Sequence, residues 1–130
     1  KLNLKDIKAG SVTNIDSVPV INVIEDMRTK KTDSEVKKGT IVKLTGKRLR
    51  VEGVDSSVGL YLDKGDGVAT KVDKADILRN EPSCIEFILP SGLLVGTSYA
   101  IKIKNQAKVK NGFSKRVREG VSGVDIKVVN

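Results

Sequence analysis

The chain contains no histidine and a single cysteine, Cys84, in 130 residues. Without histidine it lacks the commonest general base, the commonest metal ligand and the side chain that titrates nearest neutral pH. With one thiol it has no internal disulfide, and zinc sites of the usual ligand types are closed to it. Aromatic residues make up 3% of the chain, as Tyr61, Phe87, Tyr99 and Phe113. That is few for a platform that stacks bases or sugars. No apolar run approaches the roughly 18 residues of a membrane-spanning helix, and no signal-peptide pattern opens the sequence. No cofactor, no metal and no membrane insertion are therefore expected, and the absence of a catalytic constellation argues against an enzyme.

What is present is charge of one sign. Lys and Arg outnumber Asp and Glu by 24 to 16, a net charge of +8. A basic balance suits nucleic acid or another polyanion, although small domains also carry charge for solubility. The cations concentrate in two places. Lys102, Lys104, Lys108, Lys110, Lys115, Arg116 and Arg118 run without an acid until Glu119, and Lys47, Arg48 and Arg50 form a second group. These ten are the candidate nucleic-acid contacts, of the backbone type that neutralises phosphates. The alternative is a solvated strand face followed by a loop.

The length fits one domain. Residues 1–17 read as a lead-in or linker and 18–130 as the domain. The stretch from Gly39 to Leu62 organises it: Thr40–Thr45 alternates, Gly46 breaks the strand, and Leu60 and Leu62 recur at strand period with Tyr61 facing the other way. Val18–Ile24 is β-branched and begins at Pro19, which a strand start or edge tolerates. Glu25–Lys38 is almost wholly polar and reads as a long exposed loop. Asp63–Gly67 has hairpin-turn composition, with Val68–Val72 returning. Asp73–Asn80 reads as a helical turn or a crossing between sheets. Ser83–Leu89 and Thr97–Lys104 alternate cleanly, and Tyr99 is placed to tie its hydroxyl to backbone at a corner. Gln106–Gly120 reads as basic and irregular. Gly123–Val129 is the last strand, with Val124, Ile126 and Val128 on one face. About seven strands with turn chemistry between them, and no sustained helical period, predict an all-β, immunoglobulin-like antiparallel β-sandwich.

Several motifs resemble a known family. Pro19–Ile21, Gly39-x-x-Val42-x-Leu44-x-Gly46, Leu89-Pro90 and Gly96-x-x-Tyr99-x-Ile101-x-Ile103 are similar to immunoglobulin-like domains of the TIG or IPT type. Ile24–Asp26, Gly46–Gly59, Arg79–Ser83 and Gln106–Glu119 narrow the resemblance. They match a bacterial immunoglobulin-like domain of unknown function that follows an HU-like DNA-binding domain. That family offers no established catalytic or binding residues to carry over. The resemblance implies an accessory or interaction module whose partner is another protein or a neighbouring domain, with DNA met directly or through a preceding domain. The lone cysteine suits a reducing compartment, so a cytoplasmic setting is expected; a periplasmic or cell-surface adhesion module is the alternative, with Tyr61 and Phe113 as its candidate exposed aromatics. Asp63, Asp66, Asp73 and Asp76 gather near glycines as calcium ligands do, but lack the EF-hand spacing. Oligomeric state is not legible in the sequence.

Overall fold

The computed structural model describes residues 18–65 and 67–130. The expected lead-in, residues 1–17, lies outside the described residues, as does Asp66 of the acidic turn. Ten strands are present among the described residues: β1 (Val20–Asp26), β2 (Glu35–Lys37), β3 (Ile41–Lys47), β4 (Gly59–Asp63), β5 (Ala69–Lys71), β6 (Ile77–Glu81), β7 (Cys84–Ile88), β8 (Ser98–Val109), β9 (Gly112–Val121) and β10 (Ile126–Val129). A 3-10 turn, Lys74–Asp76, precedes β6. No helix is long and apolar enough to cross a membrane among the described residues.

Four strands form one sheet in the order β1-β3-β7-β6. The other sheet runs β2-β10-β8-β4-β5, with β9 also paired to β8. β9 and β10 follow one another along one edge of β8, at Lys102–Val109 and at Ser98–Tyr99. Between them Ser122 keeps the ladder going: its N–H donates to the Ile101 carbonyl (2.8 Å) and its hydroxyl accepts from the Ile101 N–H (3.0 Å). The chain then bends outward, so Val124 is 56% exposed rather than facing inward as its spacing suggests, and Ile126 and Val128 alone are buried.

The alternating residues fill the space between the sheets. Val42, Leu44, Ile85 and Phe87 from one sheet meet Leu60, Leu62, Ile101 and Ile103 from the other, all fully buried in one cluster. Each such side chain removed from water contributes about 1.5–3 kcal/mol, so the strand pattern alone supplies the main driving force. The Tyr99 corner forms: the Leu94 N–H donates to the Tyr99 hydroxyl at 2.9 Å.

Asp73–Asn80 holds the expected helical turn, a 3-10 turn at Lys74–Asp76, where the chain crosses from β5 in one sheet to β6 in the other. Two further expectations are corrected. Gln106–Gly120 is not irregular; it completes β8 and forms β9. Glu25–Lys38 is not wholly exposed, because Asp26 and Val36 are each only 1% exposed. Val36 sits in a three-residue strand, too short to show an alternation, that pairs in parallel with β10.

Asp26 is buried because its carboxylate clips the crossing between sheets. Oδ1 accepts from the Arg28 N–H at 2.8 Å and from the Thr40 hydroxyl, and Oδ2 accepts from the Lys37 N–H at 2.8 Å. Burial works against its charge, but the hydrogen bonds from Thr40, Lys37, Arg28 and Thr29 outweigh it and hold its pKa below the ordinary 3.8. A depressed acid contributes stability that is fully present above its unfolded pKa and is lost as pH falls through the folded value. Asp26→Asn turns one acceptor into a donor facing the Lys37 N–H. It is expected to cost about 2–3 kcal/mol at neutral pH. The gap from the parent should narrow below roughly pH 4, as the parent's own carboxylate protonates. Urea unfolding at two pH values checks this; a gap that stays constant into acid contradicts it.

Candidate functional site

β8 and β9 outrun the sheet they belong to. On the other edge of β8 the pairing with β4 ends at Gly59 opposite Lys104. The last bond there is from the Gln106 N–H to the Glu52 carbonyl, at 2.9 Å. Beyond it the chain pairs only with β9, down to Val109 opposite Gly112, and turns at Lys110–Asn111. The result is a two-stranded ribbon. Its register shifts between Phe113 and Val117, and such bulges add twist.

Two adjacent carboxamides root the ribbon. Asn105, fully buried, faces inward. Its Nδ2 donates to the carbonyls of Arg48 (2.9 Å) and Arg50 (2.7 Å), and its Oδ1 accepts from Arg118 Nε at 3.0 Å. Gln106 faces the other way. Its Oε1 accepts from the N–H groups of Val54 (2.6 Å) and Asp55 (2.9 Å), and its Nε2 donates to the Ser114 carbonyl at 2.8 Å. Together they hold the segment that crosses from β3 to β4 against the base of the ribbon. No buried side-chain nitrogen or oxygen among the described residues lacks a partner.

The ten candidate cations do not form one face. Arg118 lies against Asn105 on the inner side; burial, and then the nearby Arg48, push its pKa down, with Glu52 opposing. Arg48 takes a left-handed backbone (φ 56°) and donates from Nε to the Val18 carbonyl at 2.9 Å. Arg50 reaches the Asn80 carbonyl at 3.3 Å, beside the reciprocal pair of bonds between Asn80 and Val51. Lys47 is exposed at the end of β3.

Lys102 and Lys104 point to the opposite, outer side of the sheet. Lys102 Nζ is 2.8 Å from Asp63 Oδ2; that hydrogen bond raises the lysine's pKa and lowers the aspartate's. Lys104 and Lys71 flank the Tyr61 ring, 5.5 and 5.8 Å from its centre, within cation–π range. Lys108, Lys110, Lys115 and Arg116 stand exposed on the ribbon.

The other candidates resolve into structural roles. Asp63 also accepts from the Gly65 N–H, and Asp73 accepts from the Ala75 N–H at the start of the 3-10 turn. No cluster of three or more possible metal ligands occurs among the described residues. Cys84 is buried and free. Tyr61 and Phe113 are both half-buried, the tyrosine hydroxyl donating to the Ser57 carbonyl at 2.7 Å. Phe113 lines an open groove of about 650 Å³ with Val51, Val58, Val72 and Ile77, rimmed by Lys71, Lys74, Glu52 and Asp55.

Asn105 and Gln106 were not legible as site residues, because a carboxamide has no distinctive spacing. The ribbon did leave a signal: Asn111-Gly112 between Val109 and Phe113 is a strong hairpin dipeptide.

A β1-β3-β7-β6 sheet facing a sheet that carries β5, β4, β8 and β10 is the arrangement of immunoglobulin-like sandwiches. Comparison with known families agrees. Residues 20–120 match the family described as "Domain of unknown function (DUF4469) with IG-like fold", and the chain belongs to that family. Among solved structures it is similar to the crystal structure of a "putative bacterial DNA binding protein" from Bacteroides vulgatus. The TM-score is 0.71 and the identity 32%, over 84% of this chain and 46% of that one. The chain thus spans less than half the length of that protein. No curated protein matches it.

Proposed function

We propose that this chain is a non-catalytic accessory module of a bacterial, cytoplasmic DNA-associated protein. It sits beside a DNA-binding domain of the HU-like type that the sequence motifs suggest, and positions that domain or contacts another protein. One observation carries the reading. The similarity to the Bacteroides vulgatus protein covers 84% of this chain but 46% of that one, so more than half of a protein described as DNA-binding lies outside the immunoglobulin-like region. The interior of the sandwich supports it: among the described residues the core is apolar, and the buried side chains of Asp26, Thr40, Asn105, Gln106 and Ser122 all have hydrogen-bond partners, which leaves the outside to act.

The test uses the Bacteroides vulgatus relative, whole and with the matched region removed. The remainder is expected to keep duplex affinity, with altered assembly or weaker binding. A remainder with no affinity for duplex DNA contradicts the reading.

A further inference from the structure

Six cations, Lys104, Lys108, Lys110, Lys115, Arg116 and Arg118, occupy the stretch from 104 to 118 with no acid among them. The fold sorts them. Lys104 lies over Tyr61 and Arg118 is held by Asn105. Lys108, Lys110 and Lys115 are exposed, and no ion pair or side-chain hydrogen bond engages them among the described residues. All three lie beyond Gln106, where the ribbon has left the sheet.

We infer that the chain itself touches duplex DNA, through the β8–β9 ribbon, with Lys108, Lys110 and Lys115 set against phosphate oxygens. A two-stranded ribbon has the cross-section that the major groove admits. With no acid on it, the fields of its cations add, and lysine is a point charge suited to phosphate rather than to a base edge. The ribbon is rooted by the Asn105 and Gln106 bonds, so little ordering is left to do on binding. Single strands are disfavoured, because base stacking needs open aromatic faces and both Tyr61 and Phe113 are half-covered. The contact is positional and sequence-blind. This inference rests on the proposed DNA setting and adds a second contact to it.

The experiment is a titration of the whole chain against a labelled duplex of mixed sequence, followed by anisotropy across salt. Three phosphate contacts give a slope of log affinity on log salt of about −2.7, roughly a 40-fold loss between about 50 and 200 mM salt. The triple variant Lys108→Gln, Lys110→Gln, Lys115→Gln is expected to abolish binding. Replacing the same three by Arg should retain it. The charge-matched variant Lys30→Gln, Lys31→Gln, Lys38→Gln should bind within about twofold of the parent. These exposed lysines flank β2, which joins the sheet at the Ser98 end of β8 and not at the ribbon end, and distant exposed charges are largely screened. No binding by the parent at low salt overturns the inference, as does equal loss in both Gln variants. So does single-stranded DNA or an acidic peptide bound as tightly as duplex. A chain that fails to bind while the remainder of the Bacteroides vulgatus protein binds removes this inference and leaves the accessory reading standing.

Discussion

Gly46→Ala is expected to cost about 3 kcal/mol or more, enough to unfold a marginal domain. In an ordinary strand the same change is favourable by roughly 0.5–1 kcal/mol, because alanine has less freedom to lose on folding. Here the sign reverses. A β-carbon on Gly46 would lie 1.9 Å from the Val20 carbonyl oxygen and 3.2 Å from the Ile21 α-carbon. Both are backbone, so no rotamer change relieves the clash. β1 is pressed onto β3 at this point, just before the register shift between Ile21 and Val23. The opposite sheet is as close: a β-carbon on Gly120 in β9 would lie 2.2 Å from the Pro19 oxygen. The start of β1 is therefore threaded between two glycines, one from each sheet. Gly92→Ala is the control, since nothing lies within 4 Å of its added carbon. It should shift the urea midpoint little, within about 0.5 kcal/mol. A Gly46→Ala protein as stable as the parent contradicts this packing.

Asn105→Leu is expected to cost about 3–4 kcal/mol. Leucine keeps the branched outline of the side chain but is larger, so some overpacking adds to the loss of hydrogen bonds at this fully buried position. The substitution strips partners from the Arg48 and Arg50 carbonyls and from the partly buried Arg118 guanidinium. A buried group left unpaired costs about 1–3 kcal/mol, and more when it is charged. The damage should be local as well as global. With Asn105 gone, the segment from Arg48 to Val51 loses its tie to β8, and amide exchange along Ala107–Val117 should quicken ahead of the core strands. Gln106→Ala is the milder companion. It frees the N–H groups of Val54 and Asp55, which can turn to water. A loss below about 1 kcal/mol for Asn105→Leu means that the carboxamide is not what holds the β3–β4 crossing against β8.

Much of the sandwich could be read from alternation, because a strand buried on one face must repeat every second residue. Ile85, Phe87 and Leu89, and Ile101 and Ile103, declared their faces that way, and the structure buries all five. Tyr99 was legible because its period placed it among them. The failures share a physical cause, which is burial achieved by hydrogen bonds instead of by apolar pattern. Asp26 looked like loop because an acid is normally wet; four donors make it an interior residue. Asn105 falls just past the alternating stretch and Gln106 opens the segment that reads as irregular, yet both are buried. β9 was missed because Ser114, Lys115 and Arg116 are opposed by Ala107 alone, and an insertion of that kind destroys the two-residue period. The basic run was visible as composition, but composition does not say which way each side chain points. Arg118 is partly buried against Asn105 on the inner side, while Lys102 and Lys104 sit on the far side of the sheet. Beyond Gln106, by contrast, Lys108, Lys110 and Lys115 are exposed to solvent.

The outside of the molecule is where the account places its function, and the ribbon is the part of the outside that it singles out. Residue-by-residue amide shifts of the labelled chain during addition of duplex DNA address that directly. The largest changes should cluster on Ala107–Arg116, with Tyr61, Asp63 and Lys102 on the outer sheet face barely moved. Changes centred on that outer face, on the groove walls Val51, Val58, Val72 and Ile77, or spread evenly over every exposed lysine would contradict it.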